Sequence, residues 1–496
     1  MKNERSSGVL LHITSLPGPY GIGTMGREAF EFVDFLVASG QKIWQILPLG
    51  HTGYGDSPYQ CFSAFAGNPL LINLDKLLKE ELLEENDLPH DLSFHDNAVD
   101  FGQVFTYKFP LLRKAYERFK ANNHIVRQMQ FENFVRKTEF WLEDYAFFMA
   151  LKNHFGGKAW SEWDMQVKTR NPETLNRYRE QLSDDIGFYR FLQFVFYRQW
   201  QELKAYANLN DIKIIGDIPL YVAADSADAW SNSEIFHFDE KLDPVAVAGV
   251  PPDYFSVTGQ LWGNPIYKWE VLQEDGFSWW IERVKANLVL YDIIRIDHFR
   301  GLAAYWEVPF GEKTAIKGEW VNAPGQELLE ALYEALGDLP IIAEDLGVIT
   351  PDVVELRDSF ELPGMKILQF AFDSGEENDF MPHTYDKNCV VYTGTHDNDT
   401  TLGQFKSVRD SDRLFMKEYF GVDERDPAWS FIKLAWSTVA NMAITPLQDL
   451  LRLDTDARMN FPGKASGYWR WRYSKDMLKP SHAEELLKIT RLYGRR

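Results

Sequence analysis

At 496 residues the chain is longer than one ordinary domain, yet within the size of a single α/β barrel carrying insertions. Its composition, 45% hydrophobic and 25% charged, is that of a water-soluble globular protein, and a formal net charge of -21 argues against nucleic acid or an anionic membrane as a partner, because both need basic surface to displace counterions. Two cysteines, Cys61 and Cys389, make no disulfide framework, and the N-terminus runs into only a short apolar stretch broken by His12 and Pro17, so neither a signal peptide nor a membrane span is expected and the cytoplasm is the default location. Aromatic residues make up 15% of the chain, with 16 Trp, which requires an unusually aromatic core or a ligand that is stacked upon.

The first predicted unit is a short apolar strand, Gly8 to Ile13, followed by a Pro/Gly-rich loop. Ala29, Phe32, Val33, Leu36 and Val37 then recur at helical spacing, and Gly40 stands where a helix C-terminus favours glycine. Lys42 to Leu47 reads as the second strand. The alternation of strand and helix resumes with strands at Asp211 to Ile218, Asp292 to Asp297, Pro340 to Glu344, Met365 to Phe370, Cys389 to Thr395 and Met442 to Pro446. Between them, Leu328, Leu329, Leu332 and Leu336 mark a helix closed by Gly337, and Thr350-Pro351 begins another. Leu70 to Leu74 is a ninth candidate, set aside because it follows the second strand with no room for its own helix. Eight remain, the number that closes a (β/α)8 TIM barrel. The expected fold class is therefore α/β, a (β/α)8 TIM barrel with large helical and loop insertions.

The interval 75–210 is far too long for one crossover and reads as an inserted, mainly helical subdomain. Phe131, Phe134, Val135, Trp141, Leu142, Tyr145 and Phe148, interspersed with charges, suggest amphipathic helices there. A shorter insertion, 223–268, reads as a loop region between the third and fourth strands.

In such a barrel the carboxyl ends of the strands build the active site. Four strands end in acids: Gly216-Asp217-Ile218-Pro219, Arg295-Ile296-Asp297-His298, Ala343-Glu344-Asp345 and Thr395-His396-Asp397-Asn398-Asp399. Strand side chains alternate faces, so Arg295 and Asp297 point one way and Ile294 and Ile296 the other, while Asp345, of opposite parity to Glu344, points toward the surrounding helices. Asp217, just before Pro219, reads on its own as a turn former. Converging carboxylates serve either metal ligation or glycoside chemistry. His12, His51, His298 and His396 are isolated rather than paired as metal ligands, which makes metal the weaker reading.

These four stretches resemble, in order, the signature regions of the α-amylase superfamily, in the form found in the amylomaltase or 4-α-glucanotransferase family (disproportionating enzymes, glycoside hydrolase family 77). The resemblance extends to Ser57-Pro58-Tyr59-Gln60, to Val250-Pro251-Pro252-Asp253-Tyr254-Phe255-Ser256 with Gly259-Gln260-Leu261-Trp262-Gly263-Asn264-Pro265, and to Arg458-Met459-Asn460-Phe461-Pro462-Gly463. It departs at Tyr468, where the family pattern has Asn. The resemblance implies that Asp297 is the nucleophile, Glu344 the general acid/base and Asp397 the residue that holds sugar hydroxyls. It also implies that Arg295, His298, His396, Tyr59, Asp217, Trp262, Phe255 and Tyr254 bind substrate, without a metal or cofactor.

Arg295 is expected to keep Asp297 ionised and the apolar strand before Glu344 to raise its pKa, giving a retaining mechanism with the carboxyl groups about 5 Å apart. Tyr59, Tyr54, Phe255, Trp262 and Trp230 are candidate sugar-stacking platforms, Tyr59 and Trp262 foremost because they lie in Pro/Gly-rich loops. The partners implied are an α-1,4-glucan donor and a glucose or maltooligosaccharide acceptor, with a monomer as the default. The alternatives are an amylase-type hydrolase, which would share the intermediate, and an inactive glycan-binding barrel.

Overall fold

The computed structural model describes residues 5–53, 55–89, 93–122, 124–252, 256–375, 377–464 and 466–495. Strands β1 (Ser6–Leu10), β2 (Ile43–Gln45) and β3 (Lys213–Pro219) are followed by β4 (Ala246–Val250) and β5 (Gln260–Pro265). Next come β6 (Ile293–Asp297), β7 (Ala304–Pro309) and β8 (Glu319–Asn322), and then β9 (Ile341–Ala343), β10 (Gly364–Ile367), β11 (Cys389–Tyr392) and β12 (Met442–Pro446). Eight of these lie parallel in the order β10-β11-β12-β1-β2-β3-β6-β9. The Ala343 N–H donates to the Pro363 carbonyl at 2.9 Å, bringing β9 against the start of β10 and closing the barrel.

All eight barrel strands stand where the apolar runs put them, but most are shorter. The run from Met365 is strand only to Ile367 before Leu368–Phe370 turns as a 3-10 helix, and the first strand ends at Leu10. Just beyond the strands one more backbone bond can still reach the neighbour, as from the Leu11 N–H to Gln45 and from the Thr393 N–H to Ile444, whereas the His298 and Thr395 N–H groups turn to the Glu344 and Asn398 side chains. Leu70 to Leu74 is no strand: a 3-10 turn, Pro69–Leu71, leads into a short helix, Leu74–Lys79.

Helix α1 (Arg27–Ala38) buries Ala29, Phe32, Val33 and Leu36, and Gly40 just beyond it has a φ of 72°, a left-handed conformation that glycine adopts without strain. Helices α2 (Phe101–Ala121), α3 (Ile125–Lys137), α4 (Glu139–His154) and α5 (Ser183–Leu209) stand between β2 and β3. Of these, α4 is not amphipathic as its charges suggest. It buries residues all round, from Trp141 and Leu142 through Lys152, packed against α5. Helices α6 (Ser278–Leu290), α7 (Gly325–Leu336) and α8 (Pro351–Ser359) pack outside the barrel. Among the described residues, no helix is long and apolar enough to cross a membrane.

The barrel interior is filled by Leu10, Ile43, Ile215, Ile293, Ile342, Met365, Ile367, Val390, Tyr392, Met442 and Ile444. Because Ile293 faces inward, Arg295 and Asp297 must do the same one and two layers higher, while Ile294 and Ile296 join the outer core under the helices. The same parity sends Asp217 inward above Ile215 and Glu344 inward above Ile342.

A second, antiparallel sheet, β5-β4-β7-β8, is built from segments that leave the carboxyl ends of β3 and β6. The 223–268 segment is thus more than loop: it supplies two of these strands and a short helix, Ala227–Ser231.

Candidate active site

Parallel register brings the acids together before any side-chain detail is needed. Asp217 sits opposite Arg295 and Pro219 opposite Asp297, while Ile296 sits opposite Ala343, so Asp297 and Glu344 are next neighbours at the tops of adjacent strands. Adjacent strands run about 4.8 Å apart, which puts these two carboxyl-bearing residues side by side.

Arg295 is the hub. Its Nη1 donates to Asp217 Oδ2 at 2.6 Å and to Asp297 Oδ1 at 2.9 Å, and its Nε lies 3.3 Å from Met365 Sδ. Arg295 and Asp217 are buried, whereas the Asp297 side chain keeps 29% of its surface exposed toward the cleft. Asp217 therefore forms no turn. It lies within β3, and its Oδ2 also accepts the Tyr59 hydroxyl at 2.8 Å.

Glu344 is held from two sides. Its Oε2 accepts the His298 backbone N–H at 2.6 Å and its Oε1 the Leu346 N–H at 3.1 Å. His298 adopts a left-handed backbone with a φ of 54°, uncommon for a residue bearing a Cβ, at the turn that aims its N–H at the carboxyl. Asp345, of opposite parity, accepts from Arg357 of α8 at 2.5 Å and from the Met365 N–H at 2.7 Å.

Burial would lower the proton affinity of Arg295, but Asp217 and Asp297 hold it firmly charged. Burial pushes the Asp297 carboxyl up, Arg295 opposes the rise, and Asp217 and Asp397 add to it, leaving it at about 7. Burial raises Glu344 well above the usual carboxylate range, with Arg295 opposing and Asp297 adding. Arg295, expected to keep Asp297 ionised, does act in that direction, but one guanidinium serves Asp217 as well, and its charge is divided. Burial is the leading cause of the rise at both carboxyls.

Asp397 lies in the loop that follows β11, its side chain 42% exposed. Its Oδ2 is 3.4 Å from His396 Nε2, and its Oδ1 accepts the Asn460 amide at 2.6 Å. Arg458 donates to the Asp397 carbonyl and to the Asn460 carbonyl, both at 2.6 Å. Asn460 and Arg458 belong to the site although no role was read for them; their stretch, Arg-Met-Asn-Phe-Pro-Gly, was the only signal. Burial lowers the pKa of both His298, to about 3, and His396, so both imidazoles are neutral near pH 7.

Among the aromatics, the Tyr59 ring stacks on His396 at 5.3 Å and leans on Trp469 at 5.6 Å. Trp262, on β5, meets His298 edge-on at 4.7 Å. Trp230 is no platform: it is buried against Phe147, Phe148 and Trp163, and its indole N–H donates to the Val167 carbonyl. Tyr54, Tyr254 and Phe255 lie outside the described residues. Tyr468 packs beside Phe461 at 6.1 Å. The structure thus brings together Asp297, Glu344, Asp397, Arg295, His298, His396, Tyr59, Asp217 and Trp262. Among the described residues, no cluster of three or more His, Cys, Asp and Glu has the geometry to hold a metal ion.

Comparison with known proteins bears directly on this arrangement. The family model described as 4-alpha-glucanotransferase, glycoside hydrolase family 77, matches residues 11–478. The chain is 52% identical to a 4-alpha-glucanotransferase of Synechocystis over all of this chain and 99% of that protein. It is 48% identical to one from Thermus thermophilus over 98% of each. Among solved structures, the amylomaltase from Streptococcus agalactiae in complex with acarbose superimposes with a TM-score of 0.96 at 44% identity, covering 99% of this chain and 100% of that one.

Proposed function

The chain belongs to the 4-alpha-glucanotransferase family over nearly its whole length, and from that premise we propose how its site performs the transfer. The enzyme moves α-1,4-glucan segments from a donor maltooligosaccharide or amylose to the 4-hydroxyl of glucose or another maltooligosaccharide, through a covalent glucosyl-enzyme.

The observation that carries this reading is the adjacency of Asp297 and Glu344 in different settings: the first bonded to Arg295, the second held by two backbone N–H groups and raised by burial. Arg295 holds Asp297 Oδ1, which presents Oδ2 to the anomeric carbon. As the C–O bond to the departing chain breaks, the Glu344 proton passes to the leaving oxygen and Asp297 is left as a glucosyl ester. The acceptor 4-hydroxyl then attacks the same carbon, gives its proton to Glu344 and frees Asp297. Two inversions retain the anomer.

Asp397, anchored by Asn460, receives sugar hydroxyls, and neutral His298 and His396 hydrogen-bond others. Tyr59 and Trp262 supply apolar faces for sugar rings. In this reading the 75–210 segment is a helical addition to the barrel, and 223–268 carries Trp262 to the substrate. The two cysteines, both unpaired, fit a reducing, cytoplasmic setting.

Incubation with maltotriose tests the proposal. Transfer yields glucose together with a ladder of longer oligosaccharides at a constant number of reducing ends. A steady rise in reducing ends without longer products would refute it.

A further inference from the structure

Two residues beyond His298, the turn after β6 carries Arg300, a buried cation with no carboxylate in contact among the described residues. Its guanidinium carbon lies 3.8 Å from the centre of the Trp320 ring on β8, and its Nη2 donates to Thr350 Oγ1 at 3.3 Å. Its Nε and Nη1 are buried without a hydrogen bond among the described residues, and Asp352 acts on it only at a distance. Burying a guanidinium this way is a poor means of gaining stability. Its position is informative. Arg300 ties the turn that follows Asp297 to the residue that caps α8, six positions after Glu344, and to the second sheet. That sheet touches the same turn again at its other edge, where Trp262 meets His298. The turn between these two contacts is the one whose His298 N–H and Phe299 N–H bond to Glu344, at Oε2 and at the carbonyl.

We propose that Arg300 and Trp320 are positioning residues for the reaction: their stacking braces the turn after β6 so that the left-handed His298 keeps its N–H on the Glu344 carboxyl. This rests on the reading of Glu344 as general acid/base. Glu344 also faces Arg295 and Asp297 from β6 and has Asp345 beside it, none of which the brace touches, so the His298 N–H is the contact it controls. That N–H favours the ionised carboxyl, so losing it moves the loss of the Glu344 proton to higher pH.

The test compares Trp320→Ala and Trp320→Phe with the parent enzyme on maltotriose across pH, alongside thermal unfolding. Trp320 is 40% exposed, which makes its truncation mild for folding. Trp320→Ala is expected to lower kcat about tenfold, to leave KM within about twofold and to shift the alkaline limb of kcat/KM to higher pH, whereas Trp320→Phe keeps a ring under the guanidinium and restores most of both. An unmoved alkaline limb in Trp320→Ala, whether kcat is unchanged or falls together with the melting temperature, overturns the proposal. Glu344→Gln, measured in parallel, separates the two levels: retained turnover there defeats the acid/base assignment itself, while lost turnover with an unmoved Trp320→Ala profile defeats only the brace.

Discussion

Asp217, Arg295, Asp297 and Glu344 place three carboxyl groups around one guanidinium, and that count sets the pH behaviour. The active form carries one proton on the Asp297–Glu344 pair. kcat/KM should therefore rise as Asp297 ionises toward about pH 7 and fall when Glu344 gives up its proton at higher pH. Asp217 raises Asp297 by claiming part of Arg295, so Asp217→Asn should move the acid limb of the profile to lower pH; an acid limb that stays or moves up would show that the shared charge is not what sets it. Asn460 holds Asp397 by a single hydrogen bond to a charged group, a contact of about 1.5–3 kcal/mol, so Asn460→Ala should cost roughly 10- to 100-fold in kcat/KM on maltotriose. At this scale the sequence was informative where chemistry ends an apolar strand. Asp297, Glu344 and Asp397 announce themselves because a carboxylate there has no folding rationale. Asn460 does not, since it lies in an irregular loop and its partner is distant in the chain. Asp217 was misread from its nearness to Pro219, when the strand in fact continues through both.

Strand β3 shows how an element is fitted to its task. Gly216 alternates with Asp217, and a Cβ at Gly216 would lie 2.1 Å from the Tyr291 ring, on the outer face where the strand meets the start of β6. Gly216→Ala should thus push β3 off its neighbour, destabilising the fold by about 1–3 kcal/mol and lowering activity through the displaced Asp217; thermal unfolding and kcat/KM measure both. The strands were legible because a buried parallel strand is a nearly continuous apolar run. Their C-terminal limits were less so, because there some backbone groups leave the ladder for side chains, as the His298 N–H does for Glu344 and the Thr395 N–H for Asn398. The antiparallel sheet escaped notice for another reason: β4 and β8 are four or five residues long and β5 ends in Gly263-Asn264-Pro265, so their pairing is a tertiary fact rather than a local pattern.

The whole molecule separates chemistry from stability along the barrel axis. The acids crown the carboxyl ends of the strands, whereas at the opposite face Arg495, fully buried, donates to the carbonyls of Trp436 at 2.8 Å and of Ser6 and Thr438 at 3.1 Å, joining the segment after the final helix, Pro480–Leu492, to the entries of β1 and β12. Arg495→Ala leaves the Trp436 and Thr438 carbonyls to Arg5 alone and empties a buried site, and should cost about 1–3 kcal/mol in unfolding free energy, with kcat/KM near that of the parent at temperatures where the variant stays folded. The central claim, that Asp297 becomes covalently glycosylated, is open to direct measurement. In Glu344→Gln, an α-maltosyl fluoride donor needs no acid to lose its fluoride, so the first step proceeds while the acceptor step lacks its base. Intact-protein mass spectrometry should then show one added maltosyl unit, and peptide mapping should place it on Asp297. An unlabelled protein that still releases fluoride, or a label on another residue, would contradict the account.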